Sequence, residues 1–193
     1  MPWEKTFDEE QAVKAAMLLF WEKGYTDTSM ADLLKATGLT KGSFYNAFGS
    51  KHDLFVKALL KYDIENRRSV LQEFAAMDSP VKSIKSFLNA VIAESVEDTD
   101  KKGCFLINTS LDLGAHKEEI KEIVTRGLGE TEVFFKQMIE LGQARNQIPE
   151  NIDPHSTAKA LMGTVAGIRV LGRGVYDKAA LTALSEQSLR LIH

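Results

Sequence analysis

The side chains best suited to meeting a partner lie together in one stretch, Thr40 to Lys51, reading TKGSFYNAFGSK. Lys41 suits guanine O6/N7 or a phosphate, Asn46 suits adenine, and Ser43 can bond either. Tyr45 can place its hydroxyl on a phosphate. Gly42 has no side chain, so backbone can come close to a duplex. From Lys35 to His52 there is no acid, although the whole chain carries a net charge of −3. Any nucleic-acid contact must therefore be local to this segment.

Other chemistries have no support at this level. None of the four histidines (52, 116, 155, 193) has another His or Cys at metal-ligand spacing, and HExxH, paired CxxC and Glu-x-x-His are lacking. There is no P-loop and no GxGxxG. The carboxylates, such as Glu118, Glu119 and Glu122, fall on polar helix faces. No metal or cofactor is expected, and a helical enzyme or carrier is the poorer alternative.

What must position the stretch is a set of short helices. Ser29 opens one, with Asp32 three residues on as a capping-box partner, and Met30, Leu33 and Leu34 follow. Gly38 ends it and Leu39 fills the angle before the next helix, Thr40 to Phe48. Phe44 and Phe48, four apart, anchor that helix inward, which leaves Lys41, Gly42, Ser43, Tyr45, Asn46 and Ala47 for its other faces. Two short helices joined through a glycine turn make a helix-turn-helix. Ser29, Thr40 and Ser50 each start a helix, whose free N–H groups favour an anion, and Lys51 adds a charge to the last.

Helical spacing also dominates the rest of the 193 residues. Asp8 caps a first helix, with Phe7 as its staple residue, and Gly24 closes it. Helices are expected from Ser50 to the mid-70s, from Ser79-Pro80, from Cys104 to a stop at Gly114, from His116 to Arg145, from Asp153-Pro154, and from Lys178 to Ile192. About nine helices and no sheet make the fold all-α. No apolar run approaches the ~18 residues of a membrane span, and no secretory signal precedes the first helix, so a cytoplasmic location is expected. The single cysteine leaves no intramolecular disulfide and fits a reducing compartment.

Residues 11–60 resemble the N-terminal DNA-binding domain of the TetR family of bacterial repressors. The resemblance rests on FWEKGY (20–25), TSMADL (28–33), GLTKGSFY (38–45) and FGSKHDLF (48–55), in one continuous register. It implies a dimeric repressor with a DNA-binding domain, placed here at 1–52, and a helical effector-binding and dimerisation domain at 53–193. It also implies operator contacts at Lys41, Gly42, Ser43, Tyr45 and Lys51. One position departs: the family often has a phosphate-holding histidine where this chain has Ala47, which shifts weight to Asn46.

In the longer domain, Ala160, Gly163, Gly167 and Leu171 form a stripe that lets two helix backbones approach, either within one subunit or across a two-fold axis. The resemblance favours the dimer, with the last two helices forming its bundle. Phe87, Val91, Phe105, Leu106, Phe134, Phe135 and Met138 either line a cavity for a small-molecule effector or simply fill the core. Cys104 follows Lys101-Lys102-Gly103 at a helix start. Cations and a helix N-terminus both favour thiolate, so it is either a redox or electrophile sensor or a small buried apolar residue.

Overall fold

The computed structural model describes residues 7–193. Four helices come first: α1 (Glu9–Lys23), α2 (Met30–Thr37), α3 (Lys41–Phe48) and α4 (Lys51–Tyr62). A π-helical turn, Asp63–Arg68, carries α4 without a break into α5 (Ser69–Ala75). Then come α6 (Pro80–Glu97), α7 (Phe105–Ser110), α8 (Glu118–Ala144), α9 (Pro154–Leu171) and α10 (Lys178–Leu189). Among the described residues there is no strand, and no helix is long and apolar enough to cross a membrane.

The caps fall where the side chains predict them. Asp8, Ser29, Thr40, Ser50, Ser79 and Asp153 each accept a backbone N–H of the helix they open. Three expectations change. Phe7 sets its ring edge against Phe48, at 6.4 Å between centroids, and so closes the helix-turn-helix rather than α1 alone. The helix expected to run from Cys104 to Gly114 stops at Ser110. There the Thr109 and Ser110 hydroxyls bond the carbonyls of Phe105 and Ile107, and a 3₁₀ turn takes over at Leu113–Ala115. The long helix begins at Glu118, because His116 is extended and buried instead of helical.

The π turn has a packing cause. Asp63 is buried, with Arg67 Nε at 2.5 Å from its carboxylate. Arg68 Nε lies 3.0 Å from the same carboxylate, an ion pair without hydrogen-bond alignment. Glu130 of α8 binds both arginines, at 2.6 and 2.9 Å. Helix α8 can pass this close because position 127 is glycine: a Cβ there would stand 2.7 Å from Leu106 Cδ1 and 3.2 Å from Asp63 Oδ1. The extra residue of a π turn turns successive side chains toward one neighbour.

Two apolar cores result. One joins α1–α4 and continues into Phe105, Leu106, Ile120, Ile123 and Val124, so the N-terminal helices are seated on the body. The other joins α5, α6, α8, α9 and α10 around Leu88, Phe135, Ile139, Leu161 and Ile168.

Candidate nucleic-acid interface and inner cavity

Gly38 turns the chain with φ of +68°, a conformation that glycine adopts without strain. Phe44 and Phe48 are buried, and Leu39 is partly buried against the same core. Lys41, Gly42, Tyr45 and Asn46 are exposed on α3. Among the described residues no hydrogen bond or ion pair engages the Lys41 amine or the Asn46 amide. Ser43 is half-buried. Its hydroxyl lies 2.9 Å from that of Thr40, which also accepts the Ser43 N–H at 3.2 Å. Ala47, expected among the outward residues, leans partly onto the core, so the outward face of α3 is narrower than its sequence suggests.

The three helix starts are not equivalent. At α2, Asp32 accepts the Ser29 hydroxyl at 2.7 Å and the Ser29 N–H at 3.0 Å, with Lys23 Nζ at 3.2 Å. The hydrogen bonds from Ser29, followed by Lys23, lower its pKa to about 2. At α4, Asp53 accepts the Ser50 hydroxyl at 2.6 Å. Both of these termini therefore already hold a carboxylate, whereas the first turn of α3 contains no acid. With the Ser43 N–H taken by Thr40, the N–H groups of Lys41 and Gly42 are the ones left for a foreign anion. Lys51 holds its amine 4.5 Å from the Tyr25 ring centroid. Burial lowers its pKa, and nearby Asp27 opposes the shift.

A cavity of about 50 Å³ opens between α4–α5 and helices α6–α9. Phe87 and Val91 line it, with Met162 and Val165. Phe105 and Leu106 belong to the first core; Phe134, Phe135 and Met138 pack in the second. Sequence reasoning missed the polar wall: Tyr62, Arg67, Glu94 and Arg169. Arg169 pairs with Glu94, and one terminal nitrogen of Arg67 is buried without a partner. The available signal was an arginine interrupting the apolar run of α9. Cys104 is half-buried on the same wall. Burial raises the Tyr62 pKa well above that of an ordinary phenol; Cys104 adds to the rise and Arg169 opposes it. Lys102, expected to act on the thiol, is engaged by Asp100 at 2.9 Å and lies 5.8 Å from the Trp21 ring centroid.

On α9, Ala160 and Gly163 are exposed, and Gly167 and Leu171 half-buried. A Cβ at Gly163 would meet nothing within 4 Å, and one at Gly167 only Leu184, at 3.6 Å. The N-terminal unit and the body are tied by polar contacts as well as by the core. His52 Nε2 lies 3.2 Å from Glu119 of α8, and Trp21 Nε1 donates to the carbonyl of Gly103.

Comparison with known proteins places this architecture. Residues 12–58 match the family model "Bacterial regulatory proteins, tetR family", and residues 80–187 match "Tetracyclin repressor-like, C-terminal domain". The chain belongs to the TetR family of bacterial transcriptional regulators, a regulator family rather than an enzyme family. It is 29% identical to the HTH-type transcriptional repressor ComR of Escherichia coli (strain K12), over 97% of this chain and 90% of ComR. It is 26% identical to the repressor DhaR of Mycobacterium sp. (strain GP1), over 82% of this chain and 78% of DhaR. Among solved structures, a cysteine-substituted form of the TetR-family regulator CifR, complexed with 26-base-pair double-stranded operator DNA, superposes with a TM-score of 0.85. That match is 25% identical and covers 97% of this chain and 98% of CifR. A TetR regulator from Chloroflexus aurantiacus gives a TM-score of 0.85 at 26% identity, covering 95% of this chain and 92% of that one.

Proposed function

We propose that this protein is a repressor that binds a palindromic operator as a homodimer and is released by a small-molecule effector. Helix α3 enters the major groove. Lys41 meets guanine O6/N7 or a phosphate, Ser43 and Asn46 meet base edges, Gly42 allows close approach, and Tyr45 reaches a phosphate. Thr40 opens the helix start that takes a phosphate, and Lys51 takes another. Ser29 borders the site with a terminus partly answered by Asp32. The observation that carries this reading is the acid-free first turn of α3, next to a lysine and an asparagine that no other described residue engages. The stripe Ala160–Gly163–Gly167–Leu171 packs against its copy and sets the spacing of the two heads. The effector enters the inner cavity beside Phe87 and Val91 and favours a spacing that does not fit DNA.

The direct test is binding to the promoter regions of the protein's own gene and its neighbours. Affinity should fall steeply with salt. Binding indifferent to salt, or unaffected by both Lys41→Ala and Tyr45→Phe, would sink the assignment.

A second reading concerns the signal. The Cys104 thiol shares its cavity wall with Tyr62 and Arg169, which supports an effector that is an oxidant or electrophile. Normal release of a Cys104→Ser variant from DNA by hydrogen peroxide and by a quinone would remove this reading and leave the first intact.

A further inference from the structure

A second cavity, of about 200 Å³, lies where the N-terminal helices meet the body. It is separate from the inner cavity. Phe105, Asn108 and Thr109 on one face of α7 border it, while Ile107 on another face borders the inner one. The volume is far above the ~10–15 Å³ needed by one ordered water and below the roughly 300–1,000 Å³ of a drug-sized pocket. Its occupant would be a small molecule.

The walls specify the chemistry. Trp21, Tyr25 and Phe55 present rings from the N-terminal unit, with Tyr25 and Phe55 centroids 4.8 Å apart. His116 continues the aromatic wall. It is buried, stacks on Phe55 at 5.6 Å, lies 3.2 Å from Asp112, and has no partner at Nδ1. Arg173, in the loop after α9, crosses over Gly103 to the same space. Its Nε donates to the Lys101 carbonyl at 2.7 Å and its Nη1 to Asn108 Oδ1 at 3.3 Å. No carboxylate pairs with it among the described residues. Of the other charges on the rim, Lys23 pairs with Asp32 and Asp112 lies 3.2 Å from His116, while Glu22 makes no ion pair among the described residues. Arg173 is thus a cation held in place by two neutral oxygens, facing aromatic walls. A planar guanidinium in that state matches a carboxylate, and the rings match a flat apolar body.

We propose that this junctional cavity binds a small aromatic carboxylate, with Arg173 holding the carboxylate and Trp21, Tyr25 and Phe55 packing the ring. Such a ligand touches the N-terminal unit and the body at once, so it is a second input distinct from the inner cavity.

Trp21 itself reports occupancy. In a Trp3→Phe background it is the sole tryptophan, and its fluorescence is followed while benzoate is added, with benzamide as the neutral isostere. Benzoate should give a saturable change, and benzamide should bind at least about tenfold more weakly, a difference of ~1.4 kcal/mol. Arg173→Gln should raise the benzoate Kd by about tenfold or more, with Arg173→Lys between it and the parent. If Arg173→Gln lowers the melting temperature, Arg173→Lys alone carries the comparison. Val91→Phe, which fills the inner cavity, should leave benzoate binding unchanged. No saturation by about 10 mM, equal binding of benzamide, indifference to both Arg173 variants, or loss of binding in Val91→Phe would each overturn the proposal. None of these results bears on operator binding.

Discussion

Trp21 of α1 donates its indole N–H to the carbonyl of Gly103 at 3.1 Å, which ties the N-terminal unit to the loop just before Cys104. From the other side, Asp98 accepts the Gly103 N–H at 2.7 Å. Gly103 has φ of +66°, and a Cβ there would stand 3.0 Å from Arg173 Cδ and 3.2 Å from the Arg169 carbonyl oxygen. Trp21→Phe should therefore lower the urea midpoint by an amount equivalent to about 1 kcal/mol, one part-buried hydrogen bond. Gly103→Ala should cost more, because it adds backbone strain to a contact with a carbonyl that cannot move aside. Equal losses in the two variants would contradict this account.

The reading helix divides its work between phosphate and base contacts, and salt separates them. Lys41→Ala should weaken operator binding and, if the lysine meets a phosphate, reduce the slope of log K against log salt by about 1. Asn46→Ala should cost about 1–3 kcal/mol on the specific site and leave the slope unchanged. Fluorescence anisotropy at several salt concentrations measures both.

The buried charges at the π turn hold one another. Removing the Asp63 carboxylate in Asp63→Ala leaves Arg67 and Arg68 short of an anion inside the fold and should cost about 3–5 kcal/mol. The paired replacement Asp63→Leu with Arg67→Met should recover much of that loss, since no buried charge is then left alone at those two positions. Denaturant midpoints of the two variants and the parent test the difference.

Acid should loosen α2 in a defined window. The folded-state pKa of Asp32 is depressed from 3.8 to about 2 by the Ser29 hydrogen bonds. Its contribution to stability is thus fully present above 3.8 and disappears as pH falls through about 2. Asp32→Ala should remove this part of the acid dependence, so the melting temperatures of parent and variant converge at low pH. A constant gap across that range would show that Asp32 does not act through its charge.

Gly163 separates folding from assembly. Since a Cβ at this position meets nothing within 4 Å in the subunit, Gly163→Gln should leave the monomer as stable as before or slightly more so. It should elute as a monomer in size-exclusion chromatography and lose operator affinity. A dimer of unchanged stability would place the interface elsewhere.

Much of the fold was legible because its determinants are local. The caps at Asp8, Ser29, Thr40, Ser50, Ser79 and Asp153, the glycine at 38 and the inward pair Phe44 and Phe48 act within a turn or two of themselves, and their spacing carries that information. The exposure of Lys41, Tyr45 and Asn46 follows from the same periodicity. What tertiary structure alone decided depends on distant partners. Apolar spacing says that Phe87 and Phe135 are buried, but not that the former edges a cavity while the latter fills the core. The π turn is where Glu130 and Gly127, over sixty residues away in sequence, meet the chain: Glu130 binds Arg67 and Arg68, and Gly127 lets α8 pass close to Asp63. Arg173 becomes an unpaired cation beside aromatic rings only when the loop after α9 folds back over Gly103, whereas the helix start left open to an anion follows locally, from acids three residues after Ser29 and Ser50 and none after Thr40. Local sequence sets what a residue can do; long-range packing decides which of those capacities remain unused and so available to a partner.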